Sequence, residues 1–432
     1  MRARLESYFE FARLKTTWKT EVFAGVTTFV TMAYIIVVNP SILGKAGLPI
    51  PAVTAATCLS AAFGSLLMGV IARYPLALAP GMGLNAYFAF SVVKGMGISW
   101  QVALGAVFLS GVLFLIISLL RIREWLINAI PVSLKLGIGA GIGLFLGLIG
   151  LHEMGVITGN PVTLVTLGDL SKTSTLLACL GFLTMAGLSS RGMRGAILIG
   201  MLVTAVLGVP FGLTELHGIV AAPPSLAPTF LQLNIPGAAS LGVTTVVLTF
   251  FLVDVLDNTG TLIATTQRAG LMRPDGTVPR LREALLADSG GAIIGSLLGT
   301  STTTSYIESA AGIQAGGRTG LTAVTVAVLF VLTLFFAPIA AAIPDFATAP
   351  ALVFVACLMA RALRDIVWDD ATEYVPGVIV ALGIPFTFSI ATGIGLGFVV
   401  YVVVKVIAGR VAHISGAVWL IAALSILKFW LS

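Results

Sequence analysis

The chain has 432 residues, of which 58% are hydrophobic and only 10% are charged, and its formal net charge is +6. Soluble domains carry about 25% charged residues, so this composition excludes a soluble protein and predicts an all-α, polytopic membrane protein. In such a protein an excess of Lys and Arg reports topology. It does not indicate nucleic-acid binding.

The cysteines and histidines are too scattered to form a metal, haem or disulfide framework. Each type occurs three times: Cys58, Cys179, Cys357, His152, His217 and His413. A membrane enzyme would need a cluster of metal ligands or a nucleophile beside a base. Because the sequence has neither pattern, we predict a protein that is not an enzyme and has no metal and no cofactor.

The first 19 residues, MRARLESYFEFARLKTTWK, are amphipathic and carry both charges. They lack the apolar stretch and the small-residue cleavage site of a signal peptide. A basic amphipathic segment is typical of a helix that lies on a membrane surface. We therefore predict a cytoplasmic N-terminal segment that does not cross the bilayer.

Fourteen apolar segments follow, separated by Gly, Pro and charged residues. Most approach the length of roughly 20 residues that crosses a bilayer as a helix. They are predicted at residues 20–38, 52–72, 78–94, 99–120, 130–150, 174–189, 195–210, 240–264, 282–298, 299–315, 320–341, 348–362, 374–389 and 390–408. A last stretch, 416–431, would make the count odd, so we predict that it packs at the membrane surface.

The distribution of basic residues supports an even number of spans and a cytoplasmic N-terminus. The predicted cytoplasmic loops contain Arg73, Arg121, Arg123, Arg191, Arg194, Arg268, Arg273, Arg280, Arg282, Arg318, Arg361, Arg364 and Arg410. The opposite side receives only Lys45, Lys94 and Lys172, and the Pro-rich loop 211–239 on that side has no Lys or Arg. We predict a multi-pass protein of the cell membrane.

Two of the predicted spans are interrupted by small and polar residues. Residues 79–88 read APGMGLNAYF, and residues 299–312 read GTSTTTSYIESAAG. Gly, Ser and Thr are weak helix formers, and irregular backbone at membrane depth survives only against protein or a water-filled cavity. Similar apolar runs follow both breaks, at 96–116 and 317–337. Interrupted spans at corresponding places predict inverted repeats of seven spans, with a binding site near the midplane.

Four acids stand out within the predicted spans, where a charge is costly and indicates function by default. Asp254 and Asp257 are three residues apart and are predicted to share one helical face. Glu308 lies in the second interrupted span, and Asp288 lies near the start of the span before it. The alternative is a structural acid that caps a broken helix or pairs with a Thr or a backbone N–H, and this alternative is favoured for Asp288.

The residues of these spans favour a neutral or protonatable ligand with N–H donors. A carboxylate accepts two parallel hydrogen bonds, and the interrupted segments have no Lys or Arg to bind an anion. Asn85 can donate to and accept from the edge of a heterocycle. Tyr306 can stack on a planar ring, whereas Phe88 is more simply a core residue. Gly83, like Gly81, permits close approach of the backbone to a ligand.

A carboxyl in a desolvated pocket can exchange a proton with water during a transport cycle, so proton coupling needs no further group. Glu308 and Asp257 are the candidates, with Thr304 and Asp288 in supporting positions. Sodium coupling remains open, since residues 300–304 and Asp257 offer several oxygens. An anion transporter would need a cation beside the interrupted segments.

Five stretches together resemble the AzgA-like adenine, guanine and hypoxanthine permeases of the nucleobase–ascorbate transporter (xanthine/uracil permease) superfamily. They are TEVFAGVTTFVTMAYIIVVNP (20–40), APGMGLNAYF (79–88), VDVLDNTGTLIATTQ (253–267), ALLADSGGAIIGSLLGTSTTTSYIESAAG (284–312) and GGRTGLTA (316–323). The resemblance covers nearly the whole chain. The family often has Asn-Gly-Thr before its first span, where this chain has RLKTTWKT; this departure touches no predicted site residue.

The resemblance implies a fold of fourteen transmembrane segments as seven-plus-seven inverted repeats, divided into a core domain and a gate domain. Two short antiparallel strands would precede the half-helices of spans three and ten, near residues 78–81 and 299–303. The implied units are an N-terminal segment (1–19), a core domain (20–120 and 240–345) and a gate domain (121–239 and 346–432).

The resemblance also implies a substrate and residue roles. Family members carry adenine, guanine or hypoxanthine with protons, so the expected partners are a purine nucleobase, a proton, the lipid bilayer and, through the gate domain, a second copy of the chain. Asp254 and Glu308 would bind the purine, Asn85 would be essential, and Gly83 and Asp257 would support them. The core would move past the gate like an elevator. The alternatives are a sodium-coupled nucleobase carrier and an anion or other small-solute transporter on the same fold.

Overall fold

The computed structural model describes residues 2–120, 130–215, 218–271 and 278–431. Within these ranges most of the chain is helical, and four short strands form two small sheets. Arg121, Arg123, Arg273 and His217, which the sequence placed in loops or at membrane edges, lie outside the described residues.

The first half of the chain contains ten helices and three strands within the described residues. In order they are α1 (Arg2–Tyr8), α2 (Phe11–Leu14), α3 (Trp18–Met32), α4 (Ile35–Gly44), α5 (Ile50–Leu67, continued as a π-helix over Met68–Ala72), β1 (Leu78–Pro80), α6 (Met82–Ala86, continued as a π-helix over Tyr87–Gly95), α7 (Trp100–Leu119), α8 (Val132–Glu153), β2 (Ile157–Asn160), β3 (Leu164–Leu167), α9 (Thr173–Ser190) and α10 (Ala196–Gly208).

The second half has the same character. Its described elements are α11 (Ile235–Ala238), α12 (Thr244–Arg268), α13 (Leu281–Leu298), β4 (Thr303–Ser305), α14 (Ser309–Gln314), α15 (Gly320–Thr333), α16 (Ala337–Ala341), α17 (Asp345–Met359), α18 (Ala371–Thr387), α19 (Ile390–Ile407) and α20 (Gly416–Leu431).

These elements confirm the predicted all-α membrane fold, and they are compatible with fourteen spans. Eight helices of the described chain are long and apolar enough to cross a membrane, judged by length and composition. Four shorter apolar helices include Gly416–Leu427. This last one belongs to α20, which packs on α19; its location at the membrane surface stays a prediction.

A β-hairpin after α8 was not predicted from the sequence. Strands β2 and β3 pair antiparallel, with Ile157 opposite Leu167 and Asn160 opposite Leu164. The Asn160 side chain accepts hydrogen bonds from the backbone N–H groups of Val162 (2.8 Å) and Thr163 (3.1 Å), which stabilises the turn. The sequence predicts only a connection between spans here, although its Thr and Val residues favour a strand.

The helices pack in two groups. Helices α3, α4, α5, α7, α12, α13, α14 and α15 contact one another around the strand pair β1–β4, and helices α8, α9, α10, α17, α18 and α19 contact one another beside them. The predicted core and gate domains would correspond to these two groups. Their division, and its boundaries, stay a prediction.

Strands β1 and β4 join the two halves of the chain. They pair antiparallel, with Leu78 opposite Ser305 and Pro80 opposite Thr303. Helix α6 begins two residues after β1, and helix α14 begins four residues after β4. Two short strands, each followed by a short helix, are the arrangement that the family resemblance implied at the two interrupted spans. The second strand lies at 303–305, a few residues later than the predicted 299–303.

The N-terminal segment docks on the ends of α5 and α13. Glu10 forms ion pairs with Arg73 (3.4 Å) and Arg280. The guanidinium of Arg73 lies 4.1 Å from the centre of the Tyr8 ring, a cation–π contact. Partial burial of Glu10 opposes its charge, but Arg280 and Arg13 outweigh that cost and lower the pKa of the carboxyl. The segment is therefore fastened to the first group of helices.

Candidate functional site

The two interrupted spans exchange backbone hydrogen bonds beyond the strand pair. The N–H of Gly81 donates to the carbonyl of Thr302, and the N–H of Tyr306 donates to the carbonyl of Ala77, both at 2.9 Å. Residues 300–305 are all buried. Each broken span thus satisfies polar backbone groups of the other, as a break inside a membrane requires.

Glu308 lies between β4 and α14 and is half-buried, beside the exposed Ile307. One of its carboxyl oxygens, Oε1, accepts a hydrogen bond from the hydroxyl of Tyr34 at 2.5 Å. Thr31 donates to its backbone carbonyl at 3.4 Å. Both partners lie in or next to α3, so the first span holds Glu308 in place.

The two acids of α12 have different surroundings. Asp257 is exposed, and its carboxyl interacts electrostatically with that of Glu308. Asp254 is fully buried and accepts a hydrogen bond from Asn258 at 2.7 Å. The two side chains are about 60° apart around α12, as expected for acids on one helical face, but only Asp254 is buried.

Tyr306 adds an aromatic ring next to these acids. Its side chain is buried, and its hydroxyl donates to the carbonyl of Pro80 at 2.5 Å. It interacts electrostatically with Glu308 and Asp257, and Tyr34 interacts in the same way with Glu308 and Tyr306. The structure therefore brings together two acids and two tyrosines from α12, the β4–α14 connection and the first span.

Asn85 lies at the opposite end of the strand pair from Glu308. Its carbonyl oxygen accepts a hydrogen bond from Ser301, next to the Pro80–Thr303 pair. Its amide nitrogen is buried and has no hydrogen-bond partner among the described residues. The amide therefore keeps a donor available, and its contact with a ligand stays a prediction.

Gly83 marks a close contact between α6 and α8. A Cβ atom at this position would overlap the side chain of Ile142, so only glycine lets the two helices approach this closely. Gly83 therefore touches the second group of helices, and the structure gives it a packing role. Phe88 is fully buried and packs near Phe250, with ring centres 6.5 Å apart.

A buried polar network lies behind the acid pair. The backbone N–H of Ser305 donates to Asn258 at 2.9 Å, and the Ser305 hydroxyl donates to Asp288 at 2.7 Å. Asn258 in turn donates to Asp254. The network holds the end of β4 in place. Thr304, which was predicted to support coupling, is buried within β4 opposite Ala79.

Two residues of this site were not singled out from the sequence. Tyr34 lies within an apolar run, and Asn258 directly follows Asp257. A signal existed for both, because hydroxyl and amide groups inside a membrane need hydrogen-bond partners. In the described part of the chain, no group of three or more His, Cys, Asp and Glu side chains could hold a metal ion.

The fold and the site define a class of protein, namely a multi-pass membrane transporter with two paired half-helices. The transmembrane domain of the cyanobacterial bicarbonate transporter BicA has a similar structure, with a TM-score of 0.66 and 15% identity over 88% of this chain and 97% of that one. At this identity the likeness shows the fold alone.

Sequence comparison gives the family. The model of the permease family Xan_ur_permease matches residues 19–396, and the chain belongs to this family of transporters. The adenine permease AdeP of Escherichia coli is 48% identical over 98% of this chain and 95% of its own length. The guanine/hypoxanthine permease PbuG of Bacillus subtilis is 45% identical over 98% of this chain and 99% of its own. The predicted family and the prediction of a transporter rather than an enzyme are confirmed.

Proposed function

We propose that this protein is a secondary transporter that imports purine nucleobases, such as adenine, guanine or hypoxanthine, across the cell membrane together with protons. The observation that carries the proposal is the interacting pair of carboxyls, Asp257 and Glu308, at the second interrupted span. The names of the similar permeases AdeP and PbuG support the substrate class.

Two neighbouring carboxyls suit a base with N–H groups at its edge. Each carboxylate accepts hydrogen bonds from such donors, while two close negative charges repel each other. A proton on one acid relieves this repulsion and leaves the other carboxylate to accept the N–H groups of the base. The same pair therefore favours binding of the base and the proton together, which is the requirement for symport.

The other predicted residues support this pair in our proposal. Asp254 and Asp288 hold the end of β4 through Asn258 and Ser305, so they fix the approach to Glu308. We assign the direct contact with the purine to Asp257 and Glu308, and we assign to Asp254 a supporting role. Asn85 is proposed to use its available amide donor when the half-helices rearrange.

Uptake of radiolabelled adenine, guanine and hypoxanthine by cells that lack their own purine permeases tests the proposal. We expect accumulation of at least one base, abolished by a proton uncoupler and reduced by Asp257→Asn. Absence of accumulation above cells with an empty vector contradicts the function. Uptake that survives the uncoupler but requires sodium would mean that the coupling ion is sodium. Uptake of bicarbonate or sulfate without purine uptake favours the anion alternative.

We also propose that transport proceeds by an elevator-like movement of the first group of helices against the second. Lys45, just after α4, connects them: its ammonium lies 2.6 Å from Glu153 at the end of α8 and 3.4 Å from Asp345 at the start of α17. Although burial opposes its charge, Glu153 and Asp345 raise the pKa of Lys45. Ser41 adds a hydrogen bond of 3.0 Å to Asp345.

A movement between the groups has to break these ion pairs. A disulfide formed between Lys45→Cys and Glu153→Cys should therefore stop uptake, and a reductant should restore it. Each single cysteine variant is the matched control and should transport with or without oxidant. Full uptake by the crosslinked double variant contradicts the elevator movement and leaves the purine assignment untouched.

A further inference from the structure

Tyr34 occupies an unusual place in the first span. It lies at the junction of α3, which ends at Met32, and α4, which begins at Ile35. The residue is 1% exposed within a run of apolar neighbours. A hydroxyl in such surroundings needs a hydrogen-bond partner, and the partner it has lies 274 residues away in the sequence, on Glu308.

The hydrogen bond engages one specific atom of the acid. Tyr34 donates to Oε1 of Glu308, and a carboxylate has a second oxygen with its own acceptor positions. We propose that the Tyr34 hydroxyl is a positioning group for purine recognition: it holds Oε1, so that Glu308 presents Oε2 in a fixed direction to an N–H of the base. This inference rests on the proposed function and adds which residue orients the carboxylate of Glu308.

The backbone around Glu308 is fixed by other contacts. Helix α3 lies against α14 so closely that a Cβ atom on Gly312 would be 2.6 Å from the carbonyl oxygen of Ala24 and would overlap Thr28. Thr31 also donates to the backbone carbonyl of Glu308. Loss of the Tyr34 hydroxyl should therefore leave the half-helix in place and release only the carboxyl.

The hydroxyl and the ring of Tyr34 have separable roles. The ring of Tyr34 fills space in the apolar core, and Phe fills the same space. If Tyr34 acted only by packing, Tyr34→Phe would leave the affinity for the base unchanged. It would cost only the stability lost because Oε1 of Glu308 loses its hydrogen-bond donor. If it aims the acid, the substitution lowers the affinity for the base while the fold and the maximal rate persist.

The first measurement is the kinetics of purine uptake by Tyr34→Phe. A hydrogen bond to a charged group corresponds to a factor of about ten or more in an equilibrium constant, so we expect KM to rise about tenfold with little change in Vmax. Tyr401→Phe is the matched control, because Tyr401 is a buried tyrosine of α19 in the second group of helices. Its KM should not change.

The second measurement reads Glu308 directly, without transport. A hydrophobic carbodiimide adds to a carboxyl oxygen, and a hydroxyl held against that oxygen opposes the reaction. Labelling of the peptide that contains Glu308, followed by mass spectrometry of the purified protein, should be several-fold faster in Tyr34→Phe than in the natural protein. Labelling of Asp257 in the same samples is the internal control and should be similar in both.

A shorter acid gives a second test of the same contact. Glu308→Asp draws the carboxyl away from the Tyr34 hydroxyl, so adding Tyr34→Phe should change neither KM nor labelling further. Equal KM and equal labelling of Glu308 in the natural protein and in Tyr34→Phe, with a folded protein in both, overturn the proposal. If purines fail to slow labelling of Glu308 in the natural protein, the proposed function fails. The contact of Tyr34 with Glu308 is still tested in that case, by comparing the labelling rates of the natural protein and Tyr34→Phe without purine.

Discussion

The two interrupted spans have the same architecture but different chemistry. In the first, β1 leads into α6, where Gly83 touches Ile142 and the rings of Tyr87 and Phe250 pack edge-on with centres 5.0 Å apart. In the second, β4 leads into α14 and the contacts are polar. Tyr34 donates to Glu308, and Ser305 bonds to Asp288 and to Asn258.

The difference suggests that both segments build the framework, whereas the second segment carries the acids of the proposed site. The strand pair needs both segments, because each satisfies backbone groups of the other. The acids that we propose to bind the ligand and the proton are on the second segment and on α12. The repeat therefore supplies the framework twice, whereas the acids belong to one half, and substitutions in the two segments should have different effects.

The largest effect is expected from removal of the acid in the second segment. Glu308→Gln keeps the size of the side chain but replaces the carboxylate that accepts an N–H of the base. Purine uptake should therefore fall more than tenfold, while the protein stays folded. Uptake kinetics together with the melting temperature of the purified protein measure this.

The first segment offers a matched control for this substitution. Phe88→Leu leaves the acids intact and removes packing volume in the core. It should therefore lower the melting temperature and leave the affinity for purine nearly unchanged. If Phe88→Leu abolishes uptake while Glu308→Gln does not, the comparison of the two segments is wrong.

The next effect distinguishes the two acids of α12. Asp257→Asn removes the charge beside Glu308 and should lower apparent purine affinity about tenfold without loss of stability. Asp254→Asn disturbs a buried network with Asn258, so it should mainly lower the melting temperature. Binding of labelled purine to the two purified variants, set beside their melting curves, decides this. Equal loss of affinity in both, at unchanged stability, would restore Asp254 as a direct ligand.

A smaller effect is expected at the contact of the first segment with the second group of helices. Gly83→Ala puts a methyl group against Ile142, and such overpacking costs about 1–3 kcal/mol. The uptake rate should drop, and Ile142→Ala should restore part of it in the double variant. Ile142→Ala alone controls for the cavity. No recovery in the double variant would mean that Gly83 serves another purpose than close packing.

The smallest effect concerns the buried amide behind the second segment. Asn39 donates to Thr57 at 2.7 Å and to Thr300 at 2.8 Å. Asn39→Ala removes both bonds and should destabilise the fold by about 1–3 kcal/mol, with nearly unchanged purine affinity. A melting curve and a binding titration on one preparation measure both. A large loss of affinity would show that α4 contributes to the ligand site directly.

Much of the fold was predictable because its signals are local. Long apolar runs and the positions of Arg and Lys located the spans, and the weak helix formers of 299–312 located the break. The start of β4 was misplaced by a few residues, since Thr and Ser are compatible with either a turn or a strand. The sequence did not predict the β2–β3 hairpin, since its residues lie in a loop between spans.

The sequence by itself determined that this is a membrane transporter and that two spans are broken, and it marked Asp254, Asp257 and Glu308 as candidate site residues, because charge and broken backbone are costly in a bilayer wherever they occur. Only the tertiary structure decided that Asp257 faces Glu308 while Asp254 points inward, since helix packing sets the rotation of α12. It alone brought Tyr34 to Glu308, across 274 residues. No local pattern encodes such a contact, because it depends on how two distant segments pack together.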